Sequence, residues 1–138
     1  MQPLVCAIIL LLSVSGNGWA RAPGDVTVQV LTESTFSWDG SELPHYPRGM
    51  PEISILKITI PPGVELPLHQ HPVINAGVLL KGQLTVVSED HKALHLKAGD
   101  PLVEVVGKWH YGKNDGNQPA EIVVFYAGKK GRPITIER

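Results

Sequence analysis

The chain has 138 residues, a formal net charge of −1, 43% hydrophobic and 18% charged residues. That is one domain's worth of packed globular protein and excludes a disordered chain. The near-neutral balance leaves no basic face for nucleic acid and no polybasic membrane anchor, while fourteen Gly and twelve Pro favour short strands and turns over long helices.

Val5 to Val14 is an uncharged apolar run, too short to span a bilayer. A turn-prone segment follows and ends Gly18-Trp19-Ala20, whose small residues fit a signal-peptidase site with cleavage before Arg21. The expectation is an export signal over 1–20 and a mature domain over 21–138 that is periplasmic or secreted, with no membrane contact after signal removal. No Lys or Arg precedes the apolar run, which keeps a retained N-terminal helix or strand as the alternative. The single cysteine, Cys6, sits near the start of the run and not after it, which argues against lipidation. The mature domain then has no disulfide and no thiolate ligand.

Val26, Val28 and Val30 alternate with Thr27 and Gln29, so Val26 to Leu31 reads as a strand. Ser37 to Pro51 is loop-like, with Trp38 read as a cap on the core. Ile53 to Ile60 is the clearest strand; Pro61-Pro62-Gly63 ends it. Leu66 to His71 is a short strand. Ala76 to Leu80 and Gln83 to Ser88 read as a pair joined at Lys81-Gly82. Lys92 to Lys97, Leu102 to Val106 and Ala120 to Ala127 complete the set. Strands this short and evenly spaced indicate an all-β sandwich or barrel.

Two of the six histidines form His69-Gln70-His71. Residues two apart on a strand share a face, so both imidazoles can converge on one ion. Neutral imidazole suits Fe, Zn, Ni, Cu and, with oxygen ligands, Mn. The spacing around this pair is Gly63, five residues, His69-x-His71, three residues, Asn75, six residues, Gly82. Farther on come Gly99, five residues, Val105, one residue, Gly107, two residues, His110, three residues, Asn114.

These two runs resemble the two motifs of the cupin superfamily, G-x5-H-x-H-x3/4-E-x6-G and G-x5-P-x-G-x2-H-x3-N. The resemblance covers Ile53 to Ala127 and looks like small secreted single-domain cupins. It implies a double-sheet jelly-roll barrel with one divalent metal (Fe, Mn, Zn, Ni or Cu) held by His69, His71 and His110. It also implies a homodimer, since cupins commonly dimerise through edge strands. Val105 stands where the second motif has proline. Asn75 stands where the family places a glutamate ligand.

Asn75 removes a negative charge from the ion's surroundings. It leaves either a three-histidine centre with open positions or a relic in which the histidines merely hydrogen-bond. Glu104 is the only charge in Leu102 to Val106. It is a ligand, a general base beside the ion, an acceptor for a histidine N–H, or an outward residue paired with a neighbouring Lys or Arg. Asn75 and Glu104 are thus the candidate catalytic pair. His45 in the Pro-rich loop is a candidate to close over the site, His91 reads as solvated, and His95 faces away from Leu94 and Leu96. Trp109 and Tyr111 read as packing residues and Asn114 as a turn pin. The fold does not imply one reaction. The expectation is a metal-dependent enzyme on a small organic molecule, dioxygenase-like or a Lewis-acid isomerase or lyase. A small-ligand-binding module and a structural homodimer with a vestigial site are the alternatives.

Overall fold

The computed structural model describes Gly24 and residues 26–138; the expected export signal and Cys6 lie outside the described residues. Among the described residues there are nine strands and no helix. They are β1 (Pro51–Ile60), β2 (His69–Gln70), β3 (Ile74–Lys81), β4 (Gln83–Ser88), β5 (Ala93–Lys97), β6 (Pro101–Val103), β7 (His110–Lys113), β8 (Ala120–Lys129) and β9 (Ile136–Glu137). No described helix is long and apolar enough to cross a membrane.

The strands form two antiparallel sheets, β1-β8-β3-β6 and β5-β4-β7-β2-β9. Period-2 patterning sets which side faces in. In β8, Ile122, Val124 and Tyr126 are buried while Phe125 is exposed. Ile60, Leu79 and Val124 of the first sheet share one core with Leu84, Val86 and Leu96 of the second. The sheets therefore pack face to face.

The sequence-based expectation of a barrel is corrected here, because neither sheet closes. β1 and β6 are the edges of one sheet, β5 and β9 those of the other. β2, β6 and β9 have only two or three residues each, too short a ladder to carry one sheet round into the next. The architecture is an open jelly-roll sandwich.

The expected hairpin of β3 with β4 does not form either. β3 pairs with β6 and β8, whereas β4 pairs with β5 and β7. The register slips between Leu79 and Lys81, and Gly82 then takes φ 76°. A Cβ at Gly82 would lie 2.5 Å from the Pro119 carbonyl oxygen, so only glycine lets the chain cross between sheets here.

Val26 to Leu31 joins no sheet among the described residues, with Val26, Val28 and Val30 exposed. Its alternation records strand propensity without a partner strand among the described residues. The strand expected over Leu66 to His71 shrinks to β2 between Pro67 and Pro72, and β6 ends before Glu104.

Candidate metal centre

The register of β2 on β7 sets His69 directly opposite His110. Such cross-strand neighbours stand about 5 Å apart on one face. His71 follows two residues on, and its carbonyl accepts the Gly107 N–H at 2.8 Å, which ties it to the loop before β7. One ligating atom from each of the three histidines lies within 4.8 Å of the others. Their ring centroids are 4.5 to 5.0 Å apart.

Each imidazole is oriented from behind. Nδ1–H of His69 donates to the Pro67 carbonyl at 2.7 Å, that of His71 to Ile134 at 2.9 Å, and that of His110 to Lys108 at 2.9 Å. Since a carbonyl only accepts, all three carry the proton on Nδ1 and offer Nε2 as a lone pair. Burial lowers the pKa of all three, and takes His71 down to about 4. The cluster is three neutral imidazoles. His110 Nε2 is buried with no hydrogen-bond partner, an arrangement that costs free energy unless something binds there.

Glu104 completes the surroundings. It is 4% exposed. Its Oε1 accepts from Trp38 Nε1 at 2.7 Å and from the Val105 N–H at 2.8 Å, leaving Oε2 at 3.6 Å from His110 Nε2. That separation is near the ~3.4 Å edge of a tetrahedral N/O set. Burial pushes the Glu104 carboxyl upward, opposed by the Val105 and Trp38 hydrogen bonds. Glu104 is therefore not an outward residue paired with Lys or Arg: it is buried, with Oε2 toward His110 and Oε1 held by Trp38 and Val105. The donor set, the shared tautomer and the unpartnered Nε2 together fit one divalent ion.

Asn75 is buried and lines the same cavity, but its Nδ2 donates to the Val73 carbonyl at 3.3 Å. His45 is exposed and lies outside the lining of that cavity. His91 sits exposed in a turn at φ 63°, and His95 bonds Thr85 Oγ1 at 3.0 Å on the outer side of β5. Asn114 pins its turn through bonds to the Ile60 and Gln118 carbonyls at 2.9 and 2.8 Å.

Sequence reasoning missed two supports. The Ser37–Ser41 loop is bolted to the segment around Glu104 and Lys108. Ser37 Oγ donates to the Glu104 carbonyl at 2.9 Å, Trp38 N to Val103 O at 2.9 Å, and Lys108 pairs with buried Asp39. Lys108 in turn presents the carbonyl that holds His110, so this loop orients both Glu104 and His110. The second support is β9, which pairs with β2 and places Thr135 and Glu137 beside the cavity. The alternation of Ile134 and Ile136 with Thr135 and Glu137 was its only signal.

Two face-to-face antiparallel sheets around a buried three-histidine cluster define a metal-binding β-sandwich protein. The cupin-domain family matches residues 56–126, 71 of the 138, and the chain belongs to that family. An oxalate oxidase in complex with the substrate analogue glycolate is 26% identical, with a TM-score of 0.54 over 62% of this chain and 45% of that one. The DMSP lyase DddQ of Ruegeria pomeroyi is 22% identical, with a TM-score of 0.55 over 62% and 42%. A conserved Klebsiella pneumoniae protein with a double-stranded β-helix domain is 22% identical, with a TM-score of 0.54 over 66% and 86%. Matches below a quarter identity establish the fold alone, and the chain spans less than half the length of the first two. No curated protein is significantly similar in sequence.

Proposed function

We propose that this protein is a metal-dependent enzyme acting on a small organic molecule. His69, His71 and His110 hold the ion, Glu104 is the acid–base group, and Asn75 orients water or substrate. The observation that carries this reading is the buried, unpartnered Nε2 of His110 facing a carboxylate oxygen 3.6 Å away in the wall of a largely apolar cavity. A bound divalent ion would supply Lewis-acid polarisation or, if redox-active, dioxygen chemistry. The protein's own groups do the rest. Three backbone carbonyls fix the imidazoles, Trp38 and Val105 fix one Glu104 oxygen, and the apolar walls limit water. Cupin-fold proteins named as an oxidase and a lyase are consistent with both chemistries.

Asn75 in place of a glutamate supports a second reading, a ligand-binding or structural protein with a vestigial site. Elemental measurement on protein isolated without chelator separates the two. Stoichiometric metal and a raised Tm on adding Fe, Mn, Zn, Ni or Cu support the enzyme reading. Absence of both overturns it.

We further propose a homodimer and a location outside the cytoplasm. The dimer is supported by outward Ile53, Ile55 and Phe125 on the four-stranded sheet, 63%, 59% and 51% exposed, and by Val30 and Leu31 beside Phe125, in a segment that pairs with no strand among the described residues. A second copy of the same face would bury them across a two-fold axis. Sedimentation should give a dimer that Phe125→Glu converts to monomer; a monomeric parent overturns the proposal. The location rests on Val5 to Val14 and Gly18-Trp19-Ala20, and mass analysis of exported protein should find it starting at Arg21. Retention of residues 1–20 overturns it.

A further inference from the structure

The cavity beside the histidines is open to solvent, has largely apolar walls and measures about 210 Å³. Gly112 lies in its lining, on β7, two residues beyond His110 and on the same face. His110 is 1% exposed and turns its buried, unpartnered Nε2 into this space. Val86 stands opposite Gly112 in the β4–β7 ladder, and the Leu66 N–H donates to the Gly112 carbonyl at 2.8 Å. The backbone at this point is thus held from both sides.

Nothing in the fold requires glycine there. Eight of the twelve described glycines have a positive φ, and Gly112 is not among them. Of the other three, Gly77 and Gly128 would bring a Cβ to 2.5 and 3.3 Å from a backbone carbonyl oxygen, and Gly116 to 3.1 Å from Asn114 Oδ1. A Cβ at Gly112 would meet only Leu66 Cδ1 and Leu84 Cδ1, both at 3.5 Å, which is ordinary contact. Glycine weakens a strand interior, and where it does not serve a bulge or bend it marks a close approach by a ligand or another backbone. The ladder runs through Gly112 without a bulge, and no backbone atom beyond its chain neighbours lies within 4 Å of the added Cβ.

We propose that Gly112 sets the size of the ligand. The room left by its missing side chain, beside Leu66, Leu84 and Val86, receives an apolar part of a small organic molecule whose polar end meets the histidine cluster. Two residues of strand span about 7 Å, so this apolar part is about five carbons of extended chain, or one ring. An apolar cavity of about 150 Å³ already takes up benzene. This deepens the enzyme reading above and rests on it for the cavity being the reaction site.

Zinc uptake is measured first, by calorimetry on the whole protein. Acetohydroxamate and hexanohydroxamate, which share a metal-binding head and differ in the apolar tail, are then titrated into the zinc-loaded protein. The longer tail should raise affinity at least tenfold. Gly112→Val should abolish that gain and leave zinc and acetohydroxamate affinities within twofold of the parent. Benzene is titrated into the metal-free protein, with methyl NMR as the locator. Shifts should appear at Leu66, Leu84 and Val86, and Gly112→Val should lower benzene affinity at least tenfold. Gly112→Ala, whose added methyl meets only ordinary contacts, should keep the parent Tm and lower benzene affinity about threefold, so the test survives if valine disturbs the fold. A tail that adds nothing in the parent, a gain that Gly112→Val keeps, or benzene shifts elsewhere overturns the proposal. A lowered Tm in Gly112→Ala also overturns it, by making the glycine structural. Failure of zinc uptake alone overturns the metal reading, while the benzene titrations of metal-free protein still decide the role of Gly112.

Discussion

Glu104 Oε2 stands 3.6 Å from His110 Nε2, and the two are joined by no hydrogen bond. Both are buried, one a carboxylate oxygen and the other a bare lone pair. Two acceptors facing each other at this range are mutually unfavourable until a cation or proton lies between them. The pair is kept in place by Trp38 and Val105 on the acidic side and by the Lys108 carbonyl on the other.

Glu104→Gln should separate fold from function at this pair. The glutamine oxygen would keep the bonds from Trp38 and Val105, so its amide would point at His110 Nε2 and donate to it. The metal-free protein should become more stable, and metal affinity should fall by about tenfold or more. Trp38→Phe removes a donor without supplying that new bond, so it should weaken metal binding without stabilising the metal-free protein. Calorimetric titration and thermal melts of both variants check this. Unchanged metal affinity in Glu104→Gln would remove Glu104 from the site.

The stability of chelator-treated protein should fall with acidification in a defined window. His71 is depressed by burial from 6.5 to about 4. Below pH 6.5 the unfolded chain binds a proton that the folded chain refuses, so stability decreases as pH drops and levels off near 4. For His71 the loss is on the order of 3 kcal/mol; His69 and His110, both lowered chiefly by burial, add in the same direction, and Glu104, pushed upward by burial, offsets part of it. Denaturant melts from pH 7.5 to 4 should show it. A His71→Gln variant with an equally steep decline would refute the assignment.

Much of the site was legible because its spacing is local. His69 and His71 share a face by period, and His110 is placed by the turn at Gly107 before it. Burial parity along β8 was not readable, because Ile122 to Tyr126 is apolar at every position and only the fold leaves Phe125 outside. What could not be read depends on long-range pairing. Whether Lys81-Gly82 turns back or crosses over depends on Pro119, thirty-seven positions away. Closure of a sheet depends on ladder lengths that only the fold sets. Trp38 does pack against the core as its cap, but its hydrogen bond to Glu104, sixty-six positions along the chain, could not be read.

Gly82→Ala should be among the most damaging single-methyl changes in the domain. It combines φ 76° with a Cβ placed 2.5 Å from a backbone oxygen that cannot rotate away. Gly63 has a similar φ of 73° but nothing within 4 Å of the added atom. Gly63→Ala should therefore cost only the backbone strain, about 1 kcal/mol, and Gly82→Ala about 2–4 kcal/mol. Thermal melts should rank them in that order by several degrees. Equal shifts would mean that β3 and β4 do not cross over at this point.

Ending the chain after Pro133 should impair the metal site more than its exposed position suggests. Residues 134–138 hold His71 through the Ile134 carbonyl at 2.9 Å and add β9 to β2 by pairing Glu137 with His69. The Arg138 N–H also donates to the Leu68 carbonyl at 3.0 Å. Without them, His71 loses the acceptor that fixes its tautomer, and β2 becomes a two-residue edge strand held only by β7. Metal affinity should drop roughly 10–100-fold, as for loss of other groups that orient a ligand. Thr135→Val spares the Ile134 carbonyl while removing the hydroxyl 3.2 Å from His71 Nδ1, so its loss should be much smaller. Titration of both proteins with zinc under identical conditions reads the difference, and equal affinities would show that the carbonyl is not what orients His71.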